Sequence, residues 1–92
     1  MTTMPMLKTS WNVTIDFEEN PDSTIATATL TAPTGRELKG TGRARRNPGD
    51  RPVARIGEEV ACARALSQLT HSLLDYAATE IEMNVRRGDP VP

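Results

Sequence analysis

Three stretches of the chain alternate between apolar and polar residues, and a fourth repeats apolar residues at helical spacing. Residues 11–18 read WNVTIDFE, residues 24–32 read TIATATLTA and residues 37–45 read ELKGTGRAR. Because successive side chains of a strand point to opposite faces, this alternation predicts half-buried β-strands. The turn sequences ENPDS and APTG separate the three strands, so we expect an antiparallel meander.

Small side chains occupy the predicted inward faces of the second and third strands. Alanines alternate with threonines in the second strand, and Gly40 and Gly42 share a face with Leu38 in the third. Glycine weakens a strand unless another backbone approaches closely, so we expect a helix to cross there at short distance. The inward face of the first strand is predicted to carry Trp11, Val13, Ile15 and Phe17.

Residues 56–87 are predicted to form that helix, because no proline interrupts them and Gly88 and Pro90 follow as stop signals. At about 100° per residue, one narrow arc is apolar and is the predicted core face. Its residues are Cys62, Leu66, Leu69, Leu73 and Ala77. Arg64 and Gln68 are predicted to lie on the opposite, solvated face. The predicted fold is therefore α+β, with a three-stranded antiparallel meander packed on one long C-terminal helix.

The predicted helix is longer than the sheet that it covers. About 30 residues at ~1.5 Å each span ~45 Å, whereas an eight-residue strand spans ~26 Å. The end of the helix is therefore expected either to overhang the sheet or to kink and fray. An overhang would suit contact with a second copy of the chain. Its candidate dimer-contact residues are Tyr76, Ile81, Met83 and Val85.

The length of 92 residues predicts one domain, over residues 10–87, between a flexible N-terminal tail at 1–9 and a C-terminal tail at 88–92. A domain this small is marginally stable alone, which favours a homodimer. A single cysteine cannot form an internal disulfide, and no apolar run is long enough to span a membrane. The first ten residues lack the layout of a signal peptide, so we expect a cytoplasmic protein.

The residues offer little for catalysis or metal binding. Cys62 and His71 lie nine positions apart on the helix, about 180° around it, so they cannot share a metal within one chain. Gly40-Thr41-Gly42 lacks the third glycine of a dinucleotide-binding loop. We therefore predict no enzymatic activity, no catalytic residues, no cofactor, no metal and no small-molecule substrate.

Charge is segregated along the chain although its formal net charge is only −1. Residues 36–55 carry a net charge of +5, and each flanking region carries −3. Clustered arginines can bind phosphate groups, but such a cluster is more commonly a solvated face or pairs with Asp16 and Glu18 across the sheet. The candidate nucleic-acid-binding residues are Lys39, Arg43, Arg45, Arg46, Arg51 and Arg55.

The stretches WNVTID, LKGTGRARRNPGDRPVARIG and EEVACARALSQLTHSLL resemble a family of small actinobacterial proteins of unknown function. The resemblance covers about residues 11–82. It implies a fold like that of double-stranded-RNA-binding domains, here without the first helix, and a tendency to dimerise. It also implies a link to dormancy or stress, through structural likeness to ribosome hibernation factors.

The sequence departs from true double-stranded-RNA-binding domains at the start of the helix. Glu58 and Glu59 stand there in place of a lysine cluster, so any RNA surface is expected on the third strand and the loop after it. Two functions remain open. In the first hypothesis, the protein binds the ribosome or structured RNA and damps translation under stress. In the second, it is a homodimeric protein-interaction module without nucleic-acid binding.

Overall fold

The computed structural model describes residues 4–86 and confirms the predicted α+β fold. Three strands, β1 (Asn12–Asn20), β2 (Ser23–Thr31) and β3 (Glu37–Arg45), precede one helix, α1 (Ala54–Arg86). The strands form an antiparallel sheet in the order β1-β2-β3, so β1 and β3 are both edge strands. Residues 4–10 form neither helix nor strand. The predicted helix end at Arg87, its stop signals and the tail at 88–92 lie outside the described residues.

A two-residue turn joins β1 to β2, so both strands run further toward it than the turn composition predicted. Asn20 pairs with Ser23, and the Asn20 side chain accepts hydrogen bonds from the backbone N–H groups of Asp22 and Ser23, both at 2.9 Å. An asparagine side chain that binds the backbone two residues ahead stabilises a tight turn. The β2–β3 turn contains Gly35 at a φ of 89°, a conformation that glycine adopts without steric cost.

The helix packs against β2 and β3 through the small residues that predicted a close approach. A Cβ atom built on Gly40 would lie 2.9 Å from Leu69 Cα, and one on Gly42 would lie 2.7 Å from Arg64 Cβ. Both distances are too short for any side chain, so glycine is required at both positions. The buried core is correspondingly small in side-chain size. It consists of Ala26, Ala28, Leu30, Ala44, Ala61, Ala65 and Leu69.

The buried arc of the helix is rotated from the predicted one. Ala61, Ala65 and Leu69 are its buried residues, whereas Leu66 is 40% exposed. The prediction followed the largest apolar side chains, but the helix turns Ala61 and Ala65 to the sheet beside Leu69 of the predicted arc, and its backbone lies against Gly40 and Gly42. Leu73 still packs against the core, as predicted.

Arg64 and Gln68 were wrongly predicted to lie opposite the sheet. Arg64 Nη1 donates a hydrogen bond to the backbone oxygen of Arg43 at 2.6 Å, and Gln68 Oε1 accepts one from the backbone N–H of Thr41. Both backbone groups belong to β3. The helix therefore uses two polar side chains to cover part of the outer edge of that strand.

The helix begins at Ala54, two residues before the predicted start, and extends beyond the sheet. Its 33 residues span about 50 Å, against about 30 Å for a nine-residue strand. Between Ala78 and Arg86 every residue except Asn84 is exposed. The helix continues without a break to Arg86, so it extends past the end of the sheet within the described residues.

Candidate functional site

The face of the sheet away from the helix carries the basic part of β3. Lys39, Arg43 and Arg45 are exposed there, alternating with the inward-facing Gly40, Gly42 and Ala44. Their register partners on β2 are Thr29, Ile25 and Ser23. The middle strand therefore presents a mostly hydroxylated, uncharged surface next to three cations.

The same face carries carboxylates on β1. Asp16 pairs in register with Thr27, and Glu18 pairs with Ile25, which in turn pairs with Arg43. Two strand spacings, about 10 Å, separate β1 from β3. Within residues 4–86, no salt bridge joins the β1 carboxylates to the β3 cations. The outer face is therefore divided into an acidic edge and a basic edge.

Arg46 has a structural role at the base of the β1–β2 turn. Its guanidinium forms a 3.0 Å ion pair with Asp22 Oδ1 and donates to the backbone oxygen of Asp50 at 2.6 Å. Weaker bonds reach the backbone oxygens of Pro21 and Asn47, both at 3.4 Å. The side chain is only 28% exposed. Arg46 therefore ties the turn to the β3–α1 loop and has little capacity left for a phosphate.

Arg51 and Arg55 also lie outside the basic face of β3. Arg55 lies in the first turn of the helix, not in the loop as its predicted position implied, and pairs with Glu59 at 3.5 Å. Arg51 lines a cleft of about 580 Å³ between the β1–β2 turn and the start of the helix. Of the six predicted RNA-binding residues, the fold thus places three together and disperses the other three.

The cleft around Arg51 is mixed in charge. Arg45 and Arg64 contribute to its wall, but so do Glu19, Asp22 and Asp50. Partial burial, and then a hydrogen bond and the negative charge of Glu58, raise the pKa of Glu19 above its ordinary value. Glu19 of β1 and Glu58 of the helix therefore repel each other near the cleft. This concentration of carboxylates makes the cleft unfavourable for binding an anion.

The helix leaves the inner face of β1 uncovered. Trp11 is 53% exposed, Val13 46% and Phe17 38%, and only Ile15 of this row packs against the core. These side chains were predicted to be buried. They share the sheet face with the helix, but the helix lies over β2 and β3, where small residues allow it to dock. A continuous apolar row therefore faces solvent beside the helix.

The flank of the helix next to β1 is apolar as well. Arg64 and Gln68 mark the flank that reaches the edge of β3, so residues about half a turn away lie on the side of β1. These include Leu66, Leu73 and Ala77, which the sequence had assigned to the core. Together with Trp11, Val13, Ile15 and Phe17 they form what we call the β1 groove.

A second cleft, of about 540 Å³, lies at one end of the β1 groove. Trp11, Leu30, Leu38, Leu73 and Tyr76 are among its lining residues. Its rim carries Arg36, whose guanidinium carbon lies 4.6 Å from the centroid of the Tyr76 ring, a cation–π contact. Tyr76 is therefore held by its own chain at the point where the helix leaves the sheet.

The four predicted dimer-contact residues do not form one patch. Tyr76 and Met83 lie on the sheet side of the helix, whereas Ile81 and Val85 lie roughly on the far side, as 100° per residue requires. Ile81, Met83 and Val85 are 50%, 45% and 59% exposed. The larger apolar surface is the β1 groove. The sequence could have indicated this groove, because the inward residues of β1 are large whereas those of β2 and β3 are small.

The described part of the chain offers no metal-binding cluster of His, Cys, Asp and Glu. Cys62 is partly buried on the helix, with a free thiol. The single helix, as far as Arg86, is not long and apolar enough to cross a membrane.

Comparison with known proteins identifies relatives in mycobacteria. Residues 9–89 match the model of a family described as Rv2632c-like. The uncharacterized protein Rv2632c of Mycobacterium tuberculosis is 42% identical over 71 residues, which cover 77% of this chain and 75% of that protein. The uncharacterized protein Mb1767 of Mycobacterium bovis is 43% identical over 72 residues, which cover 78% and 76%.

The fold of this chain is also found in a solved structure. The crystal structure of Rv2632c is similar with a TM-score of 0.77 at 38% identity, over 86% of this chain and 93% of that chain. The three strands and the long helix are thus an architecture that this chain shares with Rv2632c.

Proposed function

The chain belongs to the Rv2632c-like family, and from its surfaces we propose that it is a non-enzymatic, homodimeric interaction module. The observation that supports this proposal is the β1 groove. Trp11, Val13 and Phe17 remain about half exposed on the same sheet face that the helix covers elsewhere. Contiguous apolar surface of this kind is typical of protein–protein contact.

A second copy is the occupant that the groove favours. The core of one chain consists mainly of alanines, so a single domain removes little apolar surface from water. Burial of three large side chains on each copy would add stability that the domain lacks alone. An isologous contact also uses the same groove twice, which a self-complementary surface allows.

Light scattering on two variants of the sheet tests the proposal. The unmodified protein is expected to be a dimer at micromolar concentration, and Val13→Asp is expected to make it a monomer, because a buried unpaired carboxylate opposes association. Thr29→Asp is the matched control, since it adds the same charge to the outer face of the same sheet, on the middle strand and away from the β1 groove. A monomeric unmodified protein, or equal effects of the two variants, would contradict the proposal.

A second candidate function is binding of structured RNA, with the ribosome as the natural target, and damping of translation under stress. Its support is the exposure of Lys39, Arg43 and Arg45 on one sheet face without an ion pair in residues 4–86. Three cations aligned along a strand can contact successive phosphates. The acidic edge on β1 limits this surface to one side of the sheet.

Co-sedimentation with ribosomes at low and physiological salt tests the RNA function. We expect binding to fall steeply with salt, and the double variant Arg43→Glu/Arg45→Glu to lose it. Arg46 is left unchanged because it holds the turn. The control Arg55→Glu reverses one charge outside the sheet face and should still bind. Absence of binding even at low salt, or binding by the double variant, would exclude this surface.

A further inference from the structure

We propose that two copies of this chain associate by antiparallel pairing of their β1 strands, which would form one continuous six-stranded sheet. This inference rests on the proposed homodimer and specifies its geometry. Three features of the molecule point to the edge of β1, namely the covering of the opposite edge, the openness of the β1 backbone and the distribution of charge along the strand.

The edge of β3 is covered by the helix. Gln68 accepts a hydrogen bond from the backbone N–H of Thr41, and Arg64 donates one to the backbone oxygen of Arg43. Side chains that occupy outward backbone groups prevent another strand from adding there. Addition of a strand to this sheet is therefore disfavoured at β3.

The edge of β1 has no such cover. Between Asn12 and Glu19, no hydrogen bond from a side chain or loop of residues 4–86 reaches its backbone. The strand is nine residues long and lacks proline and lysine, and its three carboxylates lie in its second half. Unpaired N–H and C=O groups along such a strand are a template for another strand.

The sequence of β1 is compatible with pairing to itself. Only registers in which residues of the same face are opposite each other place both apolar rows, and both helices, on one side of the combined sheet. With the twofold axis at Ile15, Val13 would lie opposite the partner's Phe17. On the outer face Thr14 would lie opposite the partner's Asp16, and Asn12 opposite the partner's Glu18. No carboxylate would face another carboxylate.

The carboxylates of β1 distinguish favourable from unfavourable positions of the twofold axis. An axis at Thr14 also sets each carboxylate against a neutral residue, because Asp16 would then face the partner's Asn12. An axis at Asp16 would bring two aspartates directly opposite each other, and an axis at Phe17 would pair Asp16 with the partner's Glu18. Like charges directly opposite destabilise a strand pair, so the axis is expected at Thr14 or Ile15.

This pairing also brings the two β1 grooves together. The apolar rows of the two β1 strands would become cross-strand neighbours about 5 Å apart, so that each side chain covers a flank of its counterpart. The two helices would then stand on either side of a shared apolar floor. Val13 and Phe17 of the strand, and Trp11 just before it, are the exposed apolar residues placed there.

A scan of single cysteines along β1 tests the geometry. Asn12, Thr14, Ile15, Asp16 and Glu18 are replaced by Cys one at a time in the Cys62→Ala protein, after its dimer has been verified by light scattering. A residue on the twofold axis faces its own copy within disulfide range, about 4.4–6.8 Å between Cα atoms. Each step away from the axis shifts the two Cα atoms by about 6.6 Å along the strands, so one step already separates them by about 8 Å. Oxidation should therefore link Thr14→Cys or Ile15→Cys and leave Asn12→Cys and Glu18→Cys unlinked.

Cysteines at two exposed helix positions, Leu74→Cys and Ile81→Cys, distinguish this dimer from one formed through the helices. Efficient linking at either helix position with no linking in β1 would overturn the strand pairing but leave the homodimer intact. A flat profile along β1 in a protein that remains dimeric has the same meaning. A monomer at every concentration would contradict the proposed function itself.

Discussion

The two halves of the inner sheet face differ in side-chain size and in what covers them. The half formed by β2 and β3 presents Ala26, Ala28, Gly40 and Gly42, and the helix backbone lies directly on it. The half formed by β1 presents Trp11, Val13, Ile15 and Phe17, and most of that row faces solvent. The larger apolar residues are thus the less buried ones.

This contrast shows that residue size decided where the helix docks. Close packing needs a surface without protruding side chains, and only β2 and β3 provide one. The large residues of β1 would hold a helix further from the sheet. They contribute little to the core of one chain, which leaves them available to a second copy.

The largest expected effect is the loss of close contact between β3 and the helix. Gly42→Ala adds one methyl group that would overlap backbone and side-chain atoms of Ala61, Ala65 and Arg64. Because helix backbone cannot move aside without losing the rest of the contact, we expect a loss of about 3 kcal/mol or more in the free energy of unfolding. Urea denaturation measures it.

Gly49→Ala is the matched control for that substitution, because a methyl group there would meet no atom within 4 Å. Its effect is expected to stay within about 0.5–1 kcal/mol. Similar losses for both variants would show that glycine at position 42 is not required by the approach of the helix.

A smaller effect on stability is expected from shortening two side chains that are paired across β1 and β2 but lie in different halves of the inner sheet face. Val13 and Leu30 are directly opposite each other on β1 and β2, but Leu30 is 6% exposed and Val13 46%. Leu30→Ala is expected to lower the free energy of unfolding by about 2–5 kcal/mol at every protein concentration. The loss for Val13→Ala should be under about 1 kcal/mol in the monomer and larger where the dimer is populated.

Thermal unfolding at several protein concentrations separates the two behaviours. A dimer makes the melting temperature concentration-dependent, and Val13→Ala should weaken that dependence while Leu30→Ala preserves it. If both variants lowered the melting temperature equally at all concentrations, β1 would be part of the monomer core after all.

The smallest effect concerns Glu19 of β1 and Glu58 of the helix, whose carboxyl groups interact. The raised pKa of Glu19 means that the folded state holds this proton more tightly than the unfolded chain. Stability is therefore expected to fall as pH rises through the pKa of Glu19 in the folded state. Glu19→Gln should reduce this fall, as measured by urea midpoints at several pH values.

Glu18→Gln is the control, because Glu18 lies on the outer face of the same strand and is exposed. It removes a carboxylate without touching the Glu19–Glu58 pair, so the fall in stability through the pKa of Glu19 should persist. An unchanged slope in Glu19→Gln would show that the carboxylates of Glu19 and Glu58 do not oppose each other in solution.

Much of the fold could be predicted from residue patterns, since period-two alternation located all three strands within a few residues. Gly40 and Gly42 predicted the docking site of the helix correctly, because glycine on the inward face of a strand commonly marks the close approach of another backbone. The candidate sites could be predicted only in part. Lys39, Arg43 and Arg45 share a face as alternation requires. The ion pair of Arg46 with Asp22 depends on tertiary contacts, and that of Arg55 with Glu59 on the start of the helix at Ala54.

The sequence by itself determined the element order, the inward and outward faces of β2 and β3, and the overhang of a helix longer than its sheet. These depend on local periodicity and on length, which a single chain specifies without reference to distant contacts. Only the tertiary structure decided which arc of the helix is buried, because that depends on how closely two backbones fit together. It also decided that β1 is left uncovered, since one helix is too narrow to shield three strands and lies where the side chains are smallest.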